Sequence, residues 1–319
     1  MKLPTDAPTL CLLLPCYNEE EIVRDSSSQL KELFKNLINE QIIKQDSFIV
    51  FVDDGSVDKS WQIIKDINQE APFIKGIKLS KNFGHQNALL AGLSSFQSNA
   101  DCFITIDADL QDDIRTIREM VEKFSVGHDI VYGIRKKRNG DTFFKKNTAL
   151  LFYKLMKAMG VDLVYNHADF RLSSKRALVE LLKFSEANLF LRGIYPLLGF
   201  KTASVFYDRL QRRAGDTKYP FKKMFSFAIK GITAFSVRPL RIMTAVGFSV
   251  FMASLVASGY ALYSYFFLNS VKGWMSIVLP MYLLGGIQLL FLGVLGEYLA
   301  KIYIEVKKRP QFIIEEELG

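Results

Sequence analysis

The stretch ITIDADLQDD, positions 104–113, holds four carboxylates in ten residues and opens on an apolar run that reads as a buried strand. Asp107 and Asp109 are one residue apart, so on an extended chain both side chains leave the same face. Close together and unpaired, they would repel until one took up a proton. A hard divalent cation, Mg²⁺ or Mn²⁺, removes that conflict, because such ions take oxygen ligands from one or two carboxylates and complete their shell with substrate phosphates. Gln111 offers a further oxygen nearby. Asp112 and Asp113 read instead as helix-start acids, favoured by the helix dipole. A calcium loop is excluded: Asp112 would stand where glycine is needed and Arg118 where glutamate is needed.

An acidic strand end is useful only if other elements bring partners to it. Short apolar runs at 10–14, 47–52, 74–79, 102–106 and 128–133 read as strands, with amphipathic helical segments at 20–39, 58–70, 86–97 and 113–126 between them. Strict alternation of this kind implies an α/β fold with a mostly parallel sheet and right-handed crossovers. Ligands of such sheets gather at the carboxyl ends of the strands. The polar loops lie there: PCYNEEE at 15–21, DDGSVDKS at 53–60, SKNFGHQNA at 80–88, and DADLQDD. A carboxylate in DDGS can accept from a uracil N–H or a ribose hydroxyl, and Gly84 before a helix start suits a diphosphate. No G-x-G-x-x-G follows a strand and no G-K-[ST] occurs, so the common dinucleotide and P-loop fingerprints are absent.

Beyond residue 140 the alternation gives way to a basic amphipathic helix at 141–160, a strand entering a helix in ADFRLSSKRAL, a strand in KTASVFYDRL and the charged loop QRRAGDTKYP. The formal net charge of +8 is concentrated: residues 135–157 carry +7 and residues 201–241 carry +8. Basic faces of this kind fit a phosphate-rich partner, either nucleic acid or an anionic membrane surface. The membrane is favoured, and nucleic acid disfavoured, because the basic segments lead to two uncharged stretches of 30 and 24 residues, 242–271 and 273–296. Each exceeds the roughly 20 residues needed to cross a bilayer core. Arg238 and Arg241 precede the first stretch, and Lys301, Lys307, Lys308 and Arg309 follow the second, which places both ends in the cytoplasm. Residues 221–241 read as helices lying along the interface. Three cysteines, Cys11, Cys16 and Cys102, lie in apolar runs without disulfide or zinc spacing and read as packed thiols of a reducing compartment. No cleaved signal is evident at the N-terminus.

In this order and spacing, PCYNEEE, FVDDGSVDKS, NFGHQNALLAGL, DADLQDD, DFRLSSKRAL, RRAGDTKY and GVLGEYLAKIYIEVKKRP resemble the polyprenyl-phosphate glycosyltransferases of glycosyltransferase family 2 over residues 8–312. That group includes the bactoprenol glucosyltransferases and is similar to dolichol-phosphate mannose synthase. The resemblance implies a GT-A-like, Rossmann-type domain over 1–219 and interfacial helices over 220–241. Two transmembrane helices over 242–300 and a cytoplasmic tail over 301–319 would follow. It implies that Pro15, Tyr17, Glu19 and Asp54, with Asp53 beside them, hold the nucleotide of a UDP-sugar. Asp107 and Asp109, assisted by Gln111, would act on the metal and the donor diphosphate. Arg135, Arg213 and Lys218 would hold the phosphate of a polyprenyl acceptor, Asp169 and Arg171 would line the sugar side, and the protein would form a homo-oligomer in the plasma membrane. GDTK at 215–218 departs mildly from the usual G-x-S-K but keeps the hydroxyl, and the role of His85 is left open. A processive polysaccharide synthase is disfavoured, because neither Trp61 nor Trp274 stands in a Q-x-x-R-W element. A non-enzymatic nucleotide-sugar-binding scaffold is disfavoured by the intact acidic and basic residues.

Overall fold

The computed structural model describes residues 7–136, 167–184, 186, 191–208, 238–267 and 274–319. Two compact units emerge, the first formed by Met1–Leu151, Leu163–Lys218 and Arg309–Gly319, the second by Phe152–Asp162 and Tyr219–Lys308.

The first unit is built on one sheet. Strands β1 (Leu10–Cys16) and β2 (Phe48–Asp53) are buried at every position. This follows from near-continuous runs of Leu, Ile, Val and Phe, the pattern of strands covered on both faces. Strands β3 (Ile74–Leu79), β4 (Cys102–Thr105), β5 (Ile130–Arg135), β6 (His167–Ser174), β7 (Thr202–Tyr207) and β8 (Ile314–Leu318) complete the order β7-β5-β6-β4-β1-β2-β3-β8. β1 pairs in parallel with β2 and β4, β2 with β3, and β5 with β7; β6 runs antiparallel to β4 and β5, and β8 antiparallel to β3. The mostly parallel α/β sheet expected from the alternation is therefore present.

Helices α1 (Val23–Asn39), α2 (Ser60–Glu70), α3 (His85–Ser95) and α4 (Thr116–Ser125) follow the first four strands. In α1 the buried positions Val23, Ser26, Ser27, Leu30, Phe34 and Leu37 repeat at helical spacing and form one face. Side chains such as Leu30 and Phe34, fully removed from water, each contribute about 1.5–3 kcal/mol. From β1 the chain builds outward through β2 and β3, then crosses back to lay β4 on the other side of β1. The crevice outside β1 and β4 is thus a topological switch point, where open α/β sheets bind ligands. Two short helices, α5 (Lys175–Leu181) and α6 (Leu191–Leu197), follow β6. Cys11, Cys16 and Cys102 are buried and unbridged, as their apolar settings suggested.

The second unit contributes α7 (Arg238–Phe267) and α8 (Trp274–Val306). Among the described residues one segment is long and apolar enough to cross a membrane, Leu284–Val306 with mean hydropathy 1.5; α7 contributes the shorter apolar stretch Leu240–Val250. The amphipathic segments expected at 141–160 and 221–237 lie outside the described residues. The end of the chain differs from the expected tail: α8 continues to Val306, and residues 314–318 return to the sheet as its edge strand.

Candidate active site

The loops after β1, β2, β3 and β4 meet around an open cavity of about 390 Å³ lined by Pro15, Cys16, Tyr17, Glu19, Asp54, Asn82, Gly84, His85, Asp107, Ala108 and Asp109. The first two loops are laced together. Asn18 N–H donates to Ser56 Oγ (2.9 Å), Glu19 N–H to Ser60 Oγ (2.8 Å), and Val57 N–H to Asn18 Oδ1 (2.9 Å). Tyr17 stands at the cavity edge, 43% exposed.

The second and third loops are fixed by Asp54. Its carboxylate accepts from Phe83 N–H (2.7 Å) and Gly84 N–H (2.9 Å), and Gly84 takes a φ of +93° just before α3. Gly55, at φ +69°, lies so close to the third loop that a Cβ there would be 2.3 Å from the Lys81 carbonyl carbon. Only glycine fits both the backbone angle and the space. Gly55→Ala is expected to destabilise the fold by about 1–3 kcal/mol, measured by denaturant unfolding.

Asp53 and Asp54 are therefore not equivalent. Both carboxyls are raised from the ordinary aspartate value, chiefly by burial. Asp54 spends both oxygens on the third loop, whereas Asp53 accepts from Ser56 N–H (3.3 Å) through Oδ2 alone, leaving Oδ1 buried with no hydrogen-bond partner. Asp53, 0% exposed, lies behind the cavity, whereas Asp54 is the one of the pair that lines it.

After β4 the chain turns sharply. Leu110 sits in the left-handed region at φ +45°, its N–H donating to Asp107 O (3.1 Å), while Gln111 N–H donates to Asp109 Oδ1 (3.3 Å). A bulky residue in that region is strained, and burial of the Leu110 side chain offsets the cost. The turn aims Asp107 and Asp109 into the cavity wall. Desolvation raises the Asp107 carboxyl; His85 opposes this, while Asp169, Asp112 and Asp109 add to it. Gln111, proposed beside these two, is buried instead and does not line the cavity, and its Nε2 has no hydrogen-bond partner. Among the described residues no three acidic, histidine or cysteine side chains converge as a ready-made metal cage. Two hard carboxylates on one wall nonetheless fit Mg²⁺ or Mn²⁺, which takes the rest of its shell from phosphates and water.

The expected sugar side is an ion cluster. Asp169 accepts from Arg171 Nη2 (2.5 Å) and from Arg192 Nη2 (2.9 Å) and Nε (3.2 Å), with His85 Nε2 at 3.6 Å. Burial alone would raise the Asp169 carboxyl, but His85, Arg171 and Arg192 outweigh it and hold it well below the usual range. For His85 burial acts downward, yet Asp169 and Asp107 prevail and raise its pKa. Arg171 is 1% exposed, its guanidinium 4.4 Å from the centre of the Tyr195 ring. It therefore props Asp169 from within the core and is not a surface for sugar. Arg192 escaped the sequence reading; a lone arginine inside the apolar run LFLRGIYPL was its only signal.

Arg135 and Asp112 also depart from their expected roles. Arg135 forks onto Asp112, Nε and Nη2 lying 3.1 and 2.9 Å from Oδ1, and Nε is 3.3 Å from the Tyr207 hydroxyl. Asp112, 2% exposed, is thus the buried partner of Arg135 and not a helix-start acid, while Asp113 does serve the start of α4 by accepting from Arg115 N–H (3.1 Å). Arg135 is committed to tying β5 to the loop after β4. Arg213 and Lys218 lie outside the described residues.

Comparison with known proteins places this arrangement. The model of glycosyl transferase family 2 matches residues 11–182, which hold the four loops and, of the Asp169 cluster, His85, Asp169 and Arg171. The chain is 50% identical over 311 residues to the uncharacterized glycosyltransferase YkoT of Bacillus subtilis (strain 168), spanning 98% of this chain and 92% of that one. It is 37% identical over 308 residues to a prophage bactoprenol glucosyl transferase homolog of Escherichia coli (strain K12), spanning 96% of this chain and 98% of that one. Among solved structures, glucosyl-3-phosphoglycerate synthase of Mycobacterium tuberculosis, in complex with Mn²⁺, UDP and glucosyl-3-phosphoglycerate, shares 17% identity. Its TM-score is 0.46, over 71% of this chain and 78% of that chain. A family match across the strand-end loops, joined to near-full-length relatives, leaves one conclusion: the chain belongs to glycosyl transferase family 2.

Proposed function

We propose that this family 2 glycosyltransferase moves one sugar, glucose or an N-acetylhexosamine, from a UDP-sugar to undecaprenyl or another polyprenyl phosphate at the cytoplasmic face of the plasma membrane. The product would be a lipid-linked sugar donor for cell-envelope glycosylation. The observation that carries this reading is the convergence of Asp107 and Asp109 with the Asp53–Asp54 loop on one cavity at the sheet's switch point. The lipid acceptor is supported by the basic segments, by the apolar C-terminal region and by relatives named as bactoprenol glucosyl transferases. The reading includes two membrane spans, within α7 and α8, and a homo-oligomer.

In this mechanism Tyr17 covers the uracil ring, and the Asp53–Asp54 loop holds the nucleotide. The first turn of α3, with Gly84 before it, presents backbone N–H groups to the donor diphosphate. Asp107 and Asp109 would hold Mg²⁺ or Mn²⁺, which when bound supplies positive charge to the departing diphosphate. An oxygen of the acceptor phosphate attacks the anomeric carbon from the face opposite the leaving group, and the carbon–oxygen bond to UDP breaks, so the configuration inverts. That nucleophile needs no strong base, because its second pKa of about 6 leaves it largely ionised near neutrality. With Arg135 engaged by Asp112, the acceptor phosphate falls to Arg213 and Lys218.

Purified protein given polyprenyl phosphate and a panel of labelled UDP-sugars should move label from one of them into the lipid phase. EDTA should suppress transfer and Mn²⁺ or Mg²⁺ restore it. Transfer that is indifferent to EDTA would remove the metal from the account.

A further inference from the structure

We infer that residues 311–319 are a working part of the donor site: strand β8 positions, from the sheet edge, the 80–85 loop that lines the cavity. The inference rests on reading that cavity as the donor site. β8 pairs antiparallel with β3 from Gly76↔Leu318 to Leu79↔Ile314, and one further rung joins Ser80 N–H to Ile313 O (3.0 Å). This rung falls on the first residue of the loop. The next residue, Lys81, is the one whose backbone abuts Gly55, and Phe83 and Gly84 are the ones Asp54 holds. The loop is therefore clamped at three successive points, and β8 supplies the first.

Side chains fasten the strand in turn. Glu316 accepts from Trp61 Nε1 (2.9 Å) and pairs with Lys65 (2.7 Å) on α2, while Glu315 pairs with Lys78 (2.8 Å) on β3. Lys78 is in register with Asp53 and helps keep that carboxyl charged. Gly76 leaves the room that Leu318 and Trp61 fill, since a Cβ there would come within 3.0 and 3.1 Å of them. Gln311 Nε2 donates to Glu186 O (2.5 Å), fixing the approach to the strand. Protection of an open sheet edge would require only a short, charged strand. Attachment to the first residue of the donor loop is a separate property, with a separate consequence.

The test uses the full-length protein in detergent, equilibrium binding of radiolabelled UDP, and steady-state transfer. Deleting residues 312–319 is expected to weaken UDP binding and raise the donor KM by about tenfold, with kcat at saturating donor and the acceptor KM within about twofold. A peptide of sequence FIIEEELG added in trans should restore UDP affinity by refilling the edge. Glu316→Lys, which opposes Lys65 and leaves the backbone whole, is the companion should the deletion fail to fold; it should weaken UDP by about threefold, with Lys65→Glu restoring it. Unchanged UDP affinity in the folded variant, or a loss confined to kcat, overturns the inference. Absence of UDP binding in the wild-type protein would instead overturn the donor-site reading on which it rests.

Discussion

Replacing Asp109 with alanine should lower sugar transfer by about a hundredfold to a thousandfold while the protein stays folded, as read by turnover at saturating donor and by the unfolding midpoint. The loss is large because Asp109 faces the cavity beside Asp107, where the two carboxylates would hold the divalent cation that offsets negative charge on the departing diphosphate, and removing such electrostatic support costs a factor of about 10²–10³. Its hydrogen bond from Gln111 N–H, at 3.3 Å, is a long one, worth about 1 kcal/mol. Asp107→Asn sharpens the same point. The Asp107 side chain is 43% exposed, yet desolvation, with Asp169, Asp112 and Asp109 adding to it and His85 opposing, raises its carboxyl from the ordinary value. Removing that charge should hold stability level or raise it while activity collapses, the behaviour of a residue kept for chemistry and not for folding.

The second large effect is on stability. Asp169→Ala is expected to cost about 3–5 kcal/mol, the range for breaking a buried ion pair and stranding the remaining charge. The stranded charge would be Arg171, which is 1% exposed and has no route to water. The pH dependence has a definite sign. The folded-state carboxyl of Asp169 is held well below its ordinary value, so its contribution is fully present above the unfolded aspartate pKa of about 4. It is lost as pH falls through the lower, folded value. Wild-type stability should therefore drop on acidification below about pH 4, and the alanine variant should lack that share of the drop, as measured by urea unfolding across the acid range. Asp169→Asn, which keeps the shape and part of the hydrogen bonding, should fall between the two.

These two aspartates also mark how far the sequence alone could carry the reading. Asp107 and Asp109 stood out because β1 to β4 announce themselves as continuous apolar runs ending in polar loops, but β4 ends at Thr105, so the turn after it and not strand spacing puts both carboxylates on the cavity wall. The place of Asp169 as a hub was not legible, since Arg192 and Arg171 reach it through tertiary packing that no local pattern encodes. Asp112 looked like a helix-start acid because its neighbours in sequence are a helix; its true partner, Arg135, is 23 residues away on a strand. Asp53 and Asp54 could not be ranked, since adjacent residues at a strand end face opposite ways and only the fold shows which one meets Phe83 and Gly84. β8 was hidden for another reason. IEEEL carries three acids in a row and no alternation, and its partners Trp61, Lys65 and Lys78 lie more than 200 residues earlier. An edge strand fastened by charge has no hydrophobic signature to read.

In the proposed reaction one sugar passes from a UDP donor to a polyprenyl phosphate. Mass spectrometry of the lipid extracted after incubating purified protein with defined undecaprenyl phosphate and the accepted UDP-sugar tests it most directly. The predicted product is the acceptor mass increased by a single sugar residue, formed only with an intact Asp109 and released as free sugar by mild acid. A lipid carrying a growing chain of sugars would contradict the single-transfer reading, and UDP binding with no change in the lipid from any donor would contradict the enzymatic one.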